Sequence, residues 1–167
     1  MDRFHLFPWQ EQEAVRGGPR VPRPMVHVYI SCNGTSTPLT PALIDTGAPV
    51  TVFPRAMADL LDLELESLRA EPPEKIKLLG EDWEVASVTT TLELPPFSDL
   101  TWDAEVRFVL DDGLLFGLLG YEGFLNRWVV TFNAYHGYTV VETLDSFQSR
   151  LPVDAEQEFY KTWPDIY

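Results

Sequence analysis

The sequence predicts a mainly β fold: a small closed or orthogonally packed barrel carrying one or two short helices. Three observations predict it. Runs of β-branched and aromatic residues, bounded by Gly, Asn, Asp and Pro, recur along the 167 residues and give at least six strand-like segments. Several of these runs alternate apolar and polar residues with a period of two, as half-buried strands do. One stretch in the body, residues 54–65, places its apolar residues at helical spacing instead.

Composition bounds the function. With 45% apolar residues the chain can build one real core, so a single folded domain is expected. The 26 acidic against 12 basic residues give a formal charge of −14, a field that repels phosphate backbones and anionic membrane surfaces. Neither nucleic acid nor membrane is an expected partner. Cys32 is the only cysteine, which excludes an intrachain disulfide and a multi-cysteine zinc cluster. The N-terminal residues lack the apolar core of a secretory signal, and nowhere do eighteen apolar residues run uninterrupted; a soluble, cytoplasmic protein is expected.

Residues 1–24 hold four prolines and the pair Gly17-Gly18, which prevent regular helix and mark an N-terminal arm. The compact domain is expected over 25–143. "MVHVYISCNG" reads as a strand closed by the turn pair Asn33-Gly34, with "LTPALID" as its hairpin partner. "PRAMADLLDLEL" is the helix, with Pro54 suited to its first turn and Met57, Leu60, Leu61 and Leu65 on one face. Two strands flank Gly80-Glu81-Asp82, and "TWDAEVRFVLDDG" alternates Trp102, Ala104, Val106, Phe108 and Leu110 on one side. "WVVTFNAYHGYTVVE" closes the domain as a hairpin turning near His136-Gly137. The tail, 144–167, carries a short helix from Asp154 whose Ala155, Phe159 and Trp163 share a face in need of a surface to bury it.

One short segment carries chemistry. In "ALIDTGAPVTVF" Asp45 follows an apolar run and is followed at once by Thr46 and Gly47, so its carboxylate sits on a turn between two strands. As a site, Asp45 supplies the carboxylate, Thr46 a hydroxyl that can hold the turn, and Gly47 a backbone without a Cβ. The plainer reading is an Asx-turn, in which Asp45 bonds its own backbone and Gly47 supplies a positive φ.

"LIDTGAPVTVF" resembles the active-site segment of retropepsin-like aspartic proteases in their single-domain form. "GLLGYEGFLNRW" agrees, because that family places an apolar-apolar-Gly element late in the domain. The resemblance covers residues 25–143 and implies a barrel of the acid-protease type. It casts Asp45 as catalytic, with Thr46, Gly47 and Ala48 as its support and Leu118, Leu119 and Gly120 as the late motif. It also places a flap hairpin at "KLLGEDWEV", with Gly80 and Trp83 as flap residues; Trp83 either walls a side-chain pocket or simply packs on the barrel. The chain departs where many members continue from the late glycine with Arg and then Asp or Asn, because Tyr121 and Glu122 stand there.

The chemistry needs two carboxylates a hydrogen bond apart, and this chain has one Asp-Thr-Gly. A dyad therefore requires Asp45 from a second copy across a two-fold axis. The expected protein is an aspartic endopeptidase acting as a homodimer on a peptide or protein substrate, without metal or other cofactor. The alternative is a dimeric peptide-binding or scaffold module that keeps the fold and has lost turnover. His5, His27 and His136 lack metal-pair spacing, Cys32 has no histidine placed near it by the sequence, and Glu64, Glu66, Glu71 and Glu74 read as a solvated stretch.

Overall fold

The computed structural model describes residues 4–13, 19–78 and 80–151, so the helix expected from Asp154 lies outside the described residues. In chain order the elements are β1 (Phe4–Pro8), β2 (Gln10–Glu13), β3 (Arg20–Arg23), β4 (Met25–Cys32), β5 (Thr35–Ser36), β6 (Thr40–Ile44) and β7 (Val52–Phe53). The helices α1 (Arg55–Leu60) and α2 (Leu65–Leu68) come next, then β8 (Glu74–Leu78), β9 (Glu81–Glu93), β10 (Thr101–Val109) and β11 (Gly117–Leu119). The chain continues with β12 (Val129–Asn133), β13 (Tyr138–Glu142) and α3 (Leu144–Gln148). The fold is mainly β, as expected.

Eight strands form one sheet in the order β5-β4-β6-β11-β7-β10-β9-β8, and β9 pairs additionally with β4 through Ile30 and Leu92. That second pairing bends the sheet back around the core. Alternation along β10 puts Trp102, Ala104, Val106 and Phe108 inside, where they meet Phe53, Leu92, Leu119 and Phe124. Each large apolar side chain fully buried there contributes about 1.5–3 kcal/mol. Asn33 and Gly34, at φ 50° and 84°, turn β4 into the short β5, and β6 pairs with the earlier half of β4 from Met25 to Val28.

The single helix expected over 54–65 is two helices. Asp62 takes a left-handed φ of 56°, and Leu63 N donates to Ala58 O at 3.0 Å while Asp62 N donates to Asp59 O at 3.2 Å. This is a Schellman closure with an aspartate where glycine is usual. It turns the chain so that Leu61 and Leu65 both reach the core, while Leu60, placed by its spacing on the same stripe, is left exposed.

A smaller sheet, β1-β13-β12, stands beside the large one. β1 is fastened to the body by His5 Nε2 on Asp99 Oδ2 at 3.0 Å and by Phe7 edge-on to Phe97. Trp9 Nε1 donates to the buried Thr139 Oγ1 at 2.9 Å. At the end of β13, Glu142 is fully buried; its carboxylate accepts from Ser146 Oγ at 3.0 Å and pairs with the Arg150 guanidinium. Thr143 caps α3, its Oγ1 accepting from Ser146 N. A short, otherwise marginal helix is thus pinned by a buried carboxylate.

Arg150→Ala strands that carboxylate without its cation and is expected to lower unfolding free energy by about 3 kcal/mol. Urea denaturation checks it, and Arg150→Met with Glu142→Gln should lose clearly less.

Candidate active site

The Asp45 loop is built by two segments that thread together. β11 lies parallel to β6, pairing Gly117 with Ala42, Leu118 with Leu43 and Leu119 with Ile44, so both strands end at one level. There Asp45 N donates to Leu119 O at 3.1 Å, and Tyr121 N returns the contact to Ala48 O at 2.9 Å. Glu122 N donates to Pro49 O at 3.0 Å, while Thr51 N donates to Glu122 O at 2.9 Å. The Thr51 hydroxyl, fully buried, accepts from Gly120 N at 3.2 Å. These bonds pair polar groups of the two segments directly with each other, which is the condition for burying the groups they join.

Gly120 is where the two segments pass closest. A Cβ there would be driven into the carbonyl oxygen of Val50 and would lie 2.7 Å from that of Ala48. Only a residue without a side chain allows this approach. The two motifs read from the sequence, Asp45-Thr46-Gly47-Ala48 and Leu118-Leu119-Gly120, are therefore brought together.

Asp45 is half-buried, with Thr46 and Gly47 exposed beside it and Ala48 buried. Its Oδ1 accepts from Gly47 N at 2.9 Å, the bond of an Asx-turn, but Gly47 is not in the left-handed region that such a turn was expected to use. The bond fixes one carboxylate oxygen and leaves Oδ2 without a partner among those of the crossing. A fixed, half-buried carboxylate results.

Gly80, at φ 88°, turns β8 into β9, and β8–β9 is a tight hairpin pairing Ile76 with Trp83 and Leu78 with Glu81. Trp83 packs in a second apolar cluster with Ala48, Val50, Val52, Ile76, Val85, Val109 and Leu118. Its indole approaches Gly113, where a Cβ would stand 2.9 Å from Cη2. The hairpin and the Asp45 loop thus share one packing unit.

Sequence reasoning missed Arg107 and Thr51. Arg107 Nε meets Glu74 Oε1 at 3.1 Å, and its Nη1 meets Glu105 at 3.0 Å and Glu122 at 3.6 Å. Its backbone N donates to Thr51 O at 2.9 Å, so one residue ties the hairpin's first strand to the crossing. The alternation of β10 showed only that Arg107 points away from the main core; nothing in the sequence places three carboxylates around it. Glu122, which departs from the family pattern, has its role here.

Among the described residues no group of three His, Cys, Asp or Glu side chains is placed to hold a metal ion. His5 is taken by Asp99, His27 Nδ1 faces Gln10 Nε2 at 3.1 Å, and His136 stacks on Tyr138. Cys32 is half-buried on β4. No described helix is long and apolar enough to cross a membrane.

No family profile matches the sequence, and no curated protein matches it either. Solved structures do. The chain is similar to a retropepsin-like aspartic protease from Rickettsia conorii, with 14% identity over 84% of this chain and 93% of that one and a TM-score of 0.53. The retroviral protease-like domain of Ddi1 from Leishmania major (16% identity, 72% and 94% covered) and an inhibitor-bound EIAV protease (21%, 59% and 82%) align with TM-scores of 0.48 and 0.43. The fold of this chain is retropepsin-like.

Gly120→Ala is expected to force the crossing apart and destabilise the protein by about 1–3 kcal/mol, the range for overpacking a tight site. Thermal unfolding measures it; an unchanged midpoint would show that the segments do not interlock as described.

Proposed function

We propose that this protein is an aspartic endopeptidase whose catalytic dyad is assembled from the Asp45 of two copies. The supporting observation is the position of that carboxylate. It is half-buried, held by Gly47 N, and carried on a loop locked through Gly120 in a retropepsin-like fold. A rigid loop matters because both carboxylates must be held within a hydrogen bond of one water.

Two like charges so close cannot both ionise, so the pair holds one proton. The ionised Asp45 takes a proton from the water as its oxygen attacks the scissile carbonyl carbon. The protonated Asp45 gives its proton to the carbonyl oxygen. The tetrahedral species collapses when the Asp45 that took the water proton passes it to the nitrogen, the other Asp45 regains a proton from a diol hydroxyl, and the C–N bond breaks. The substrate is an extended peptide, lying under the β8–β9 hairpin, whose Gly80 turn stands at its tip. Rate against pH is bell-shaped, because full protonation removes the base and full ionisation removes the acid.

A two-fold contact must join chains that each carry a formal charge of −14, so it favours an uncharged surface. β12 offers one. Its sequence, Val-Val-Thr-Phe-Asn, carries no charge, and it is the outer strand of β1-β13-β12. By contrast β8 carries three charges, β2 and β3 carry charges and a proline, β5 is two residues long, and β1, the other edge of the same sheet, ends in a proline. Edge strands left without such guards pair with another chain. β12 also follows Gly120 by a compact turn in which Leu125 N bonds Gly120 O and Asn126 N bonds Tyr121 O, so it belongs to the Asp45 end of the fold.

Asp45→Asn is expected to keep the dimer and abolish cleavage of a mixed peptide library; full activity in that variant would remove the mechanism. Thr131→Lys, on the exposed side of β12, is expected to yield monomers in sedimentation and lose activity in proportion. A fully active monomer would contradict the dyad, and tight peptide capture without products would favour a binding module.

A further inference from the structure

β1 and β4 diverge around a groove of about 510 Å³. β1 leads into β2 and β4 follows β3, so the β2-β3 ribbon closes one end of a fork. The two arms of the fork do not pair with each other: among the described strands β1 pairs with β13, and β4 pairs with β5, β6 and β9. Leu6, Pro8, His27, Leu39 and Pro96 are among the residues that line the gap, and none of the lining residues is Asp, Glu, Lys or Arg. In a chain with 26 acidic residues this is an unusual stretch of surface.

Two strand edges are left open there. Ile44 N donates to Pro24 O, so Pro24, Val26 and Val28 turn their backbone groups toward β6, and His27 turns its N–H and C=O to the opposite edge. β9 covers that edge only as far as Tyr29, which stands across from Glu93. Continued by two residues, the same register sets Pro95 across from His27, and a proline has no N–H to give. Leu94 N turns instead to Leu100 O. On β1, Trp9 N donates to Gly137 O, so the odd-numbered residues face β13 and Leu6 turns its backbone N–H and C=O to the free edge of the sheet. Open backbone groups of this kind are a template for one more strand.

Size and charge define the occupant. At the spacings of β structure one strand residue fills about 160 Å³, so the groove takes about three extended residues. Leu6 and Leu39 are 50% and 45% exposed, which calls for apolar side chains against them. Arg23 stands directly across the ribbon from Gln10, so their side chains share a face; Gln10 lines the groove, its Nε2 3.1 Å from His27 Nδ1. Arg23 Nε is buried without a hydrogen-bond partner among the described residues, a costly state for a charged donor. A carboxylate at the ribbon end of the groove supplies the missing acceptor.

We propose that this groove binds an extended segment of another protein, about three apolar residues with an Asp or Glu at the ribbon end. Its backbone bonds Leu6 on β1 and His27 on β4, its side chains cover Leu39 and Pro96, and its carboxylate meets Arg23. A strand supplied from outside thereby joins the small sheet to the large one. This contact needs no peptidase activity and stands apart from the Asp45 reading.

The test uses the full chain and short synthetic peptides, each with a Val-Val-Val core flanked on both sides by Asp, Asn or Lys. Affinity is expected to fall in that order. Arg23→Gln should weaken the Asp peptide about tenfold and leave the Asn peptide unchanged. Main-chain N-methylation of the core valines keeps every side chain and should abolish binding, because a strand is held by its backbone. Amide hydrogen exchange locates the site, with the bound Asp peptide expected to slow the Leu6 and His27 amides. No binding, equal affinity for all three peptides, tight binding of the N-methylated form, or slowing at Gly47 and Gly80 in place of Leu6 and His27 overturns the proposal. So does slow exchange of the Leu6 and His27 amides in the free protein. At every concentration it means that the chain fills its own groove; increasing with concentration, it means that a second copy does.

Discussion

The structure depends on one backbone crossing. Residues 45–51 and 119–122 exchange hydrogen bonds in both directions, with Gly120 at the point where no side chain fits. At its centre, where Ala48, Val50, Thr51, Leu119 and Gly120 are buried, backbone groups need partners, and the pairing fixes where the loop can stand. The fixed loop sets the Asp45 carboxylate, and the parallel pairing of β11 with β6 sets the loop. The proposed sharing of one proton with a second carboxylate requires that this carboxylate be held within fractions of an ångström; a free surface loop would not hold it. Arg107 extends the constraint outward, joining β8 to Glu122 and β10 to Thr51.

Much of this was legible in the sequence, and the reasons differ by element. β10 was clear because a strand with one face inside must alternate, and Trp102 to Phe108 do. The last hairpin was clear because apolar runs flank a turn ending at Gly137. The candidate site was legible as two short motifs, which the fold brings together, although the sequence could not show why Gly120 is required. That reason lies in the carbonyl oxygens of Val50 and Ala48, about 70 residues earlier in the chain.

What escaped was long-range or negative. Asp62 ended the helix because an aspartate can take the left-handed conformation at a helix C-terminus; an apolar stripe that continued to Leu65 concealed the break. The pairing of β1 with β13 joins positions more than 120 residues apart, and no local pattern announces it. Arg107 looked like an ordinary outward residue of an alternating strand, and its three carboxylate neighbours come from β8, β10 and the segment after Gly120.

Electrostatics links these pieces to association. A strongly acidic molecule keeps copies of itself apart except where charge is missing, and β12, an outer strand of the three-stranded sheet, carries none. The central claim, one proton shared by two chains, is tested most directly by mixing. Wild-type and Asp45→Asn subunits are combined in equal amounts, allowed to exchange, and assayed at the total concentration of a wild-type control. If each site needs an aspartate from both chains, activity falls to about one quarter of the control, the share of wild-type pairs in random assortment. Activity of about one half would mean that each chain works alone, and would contradict the account.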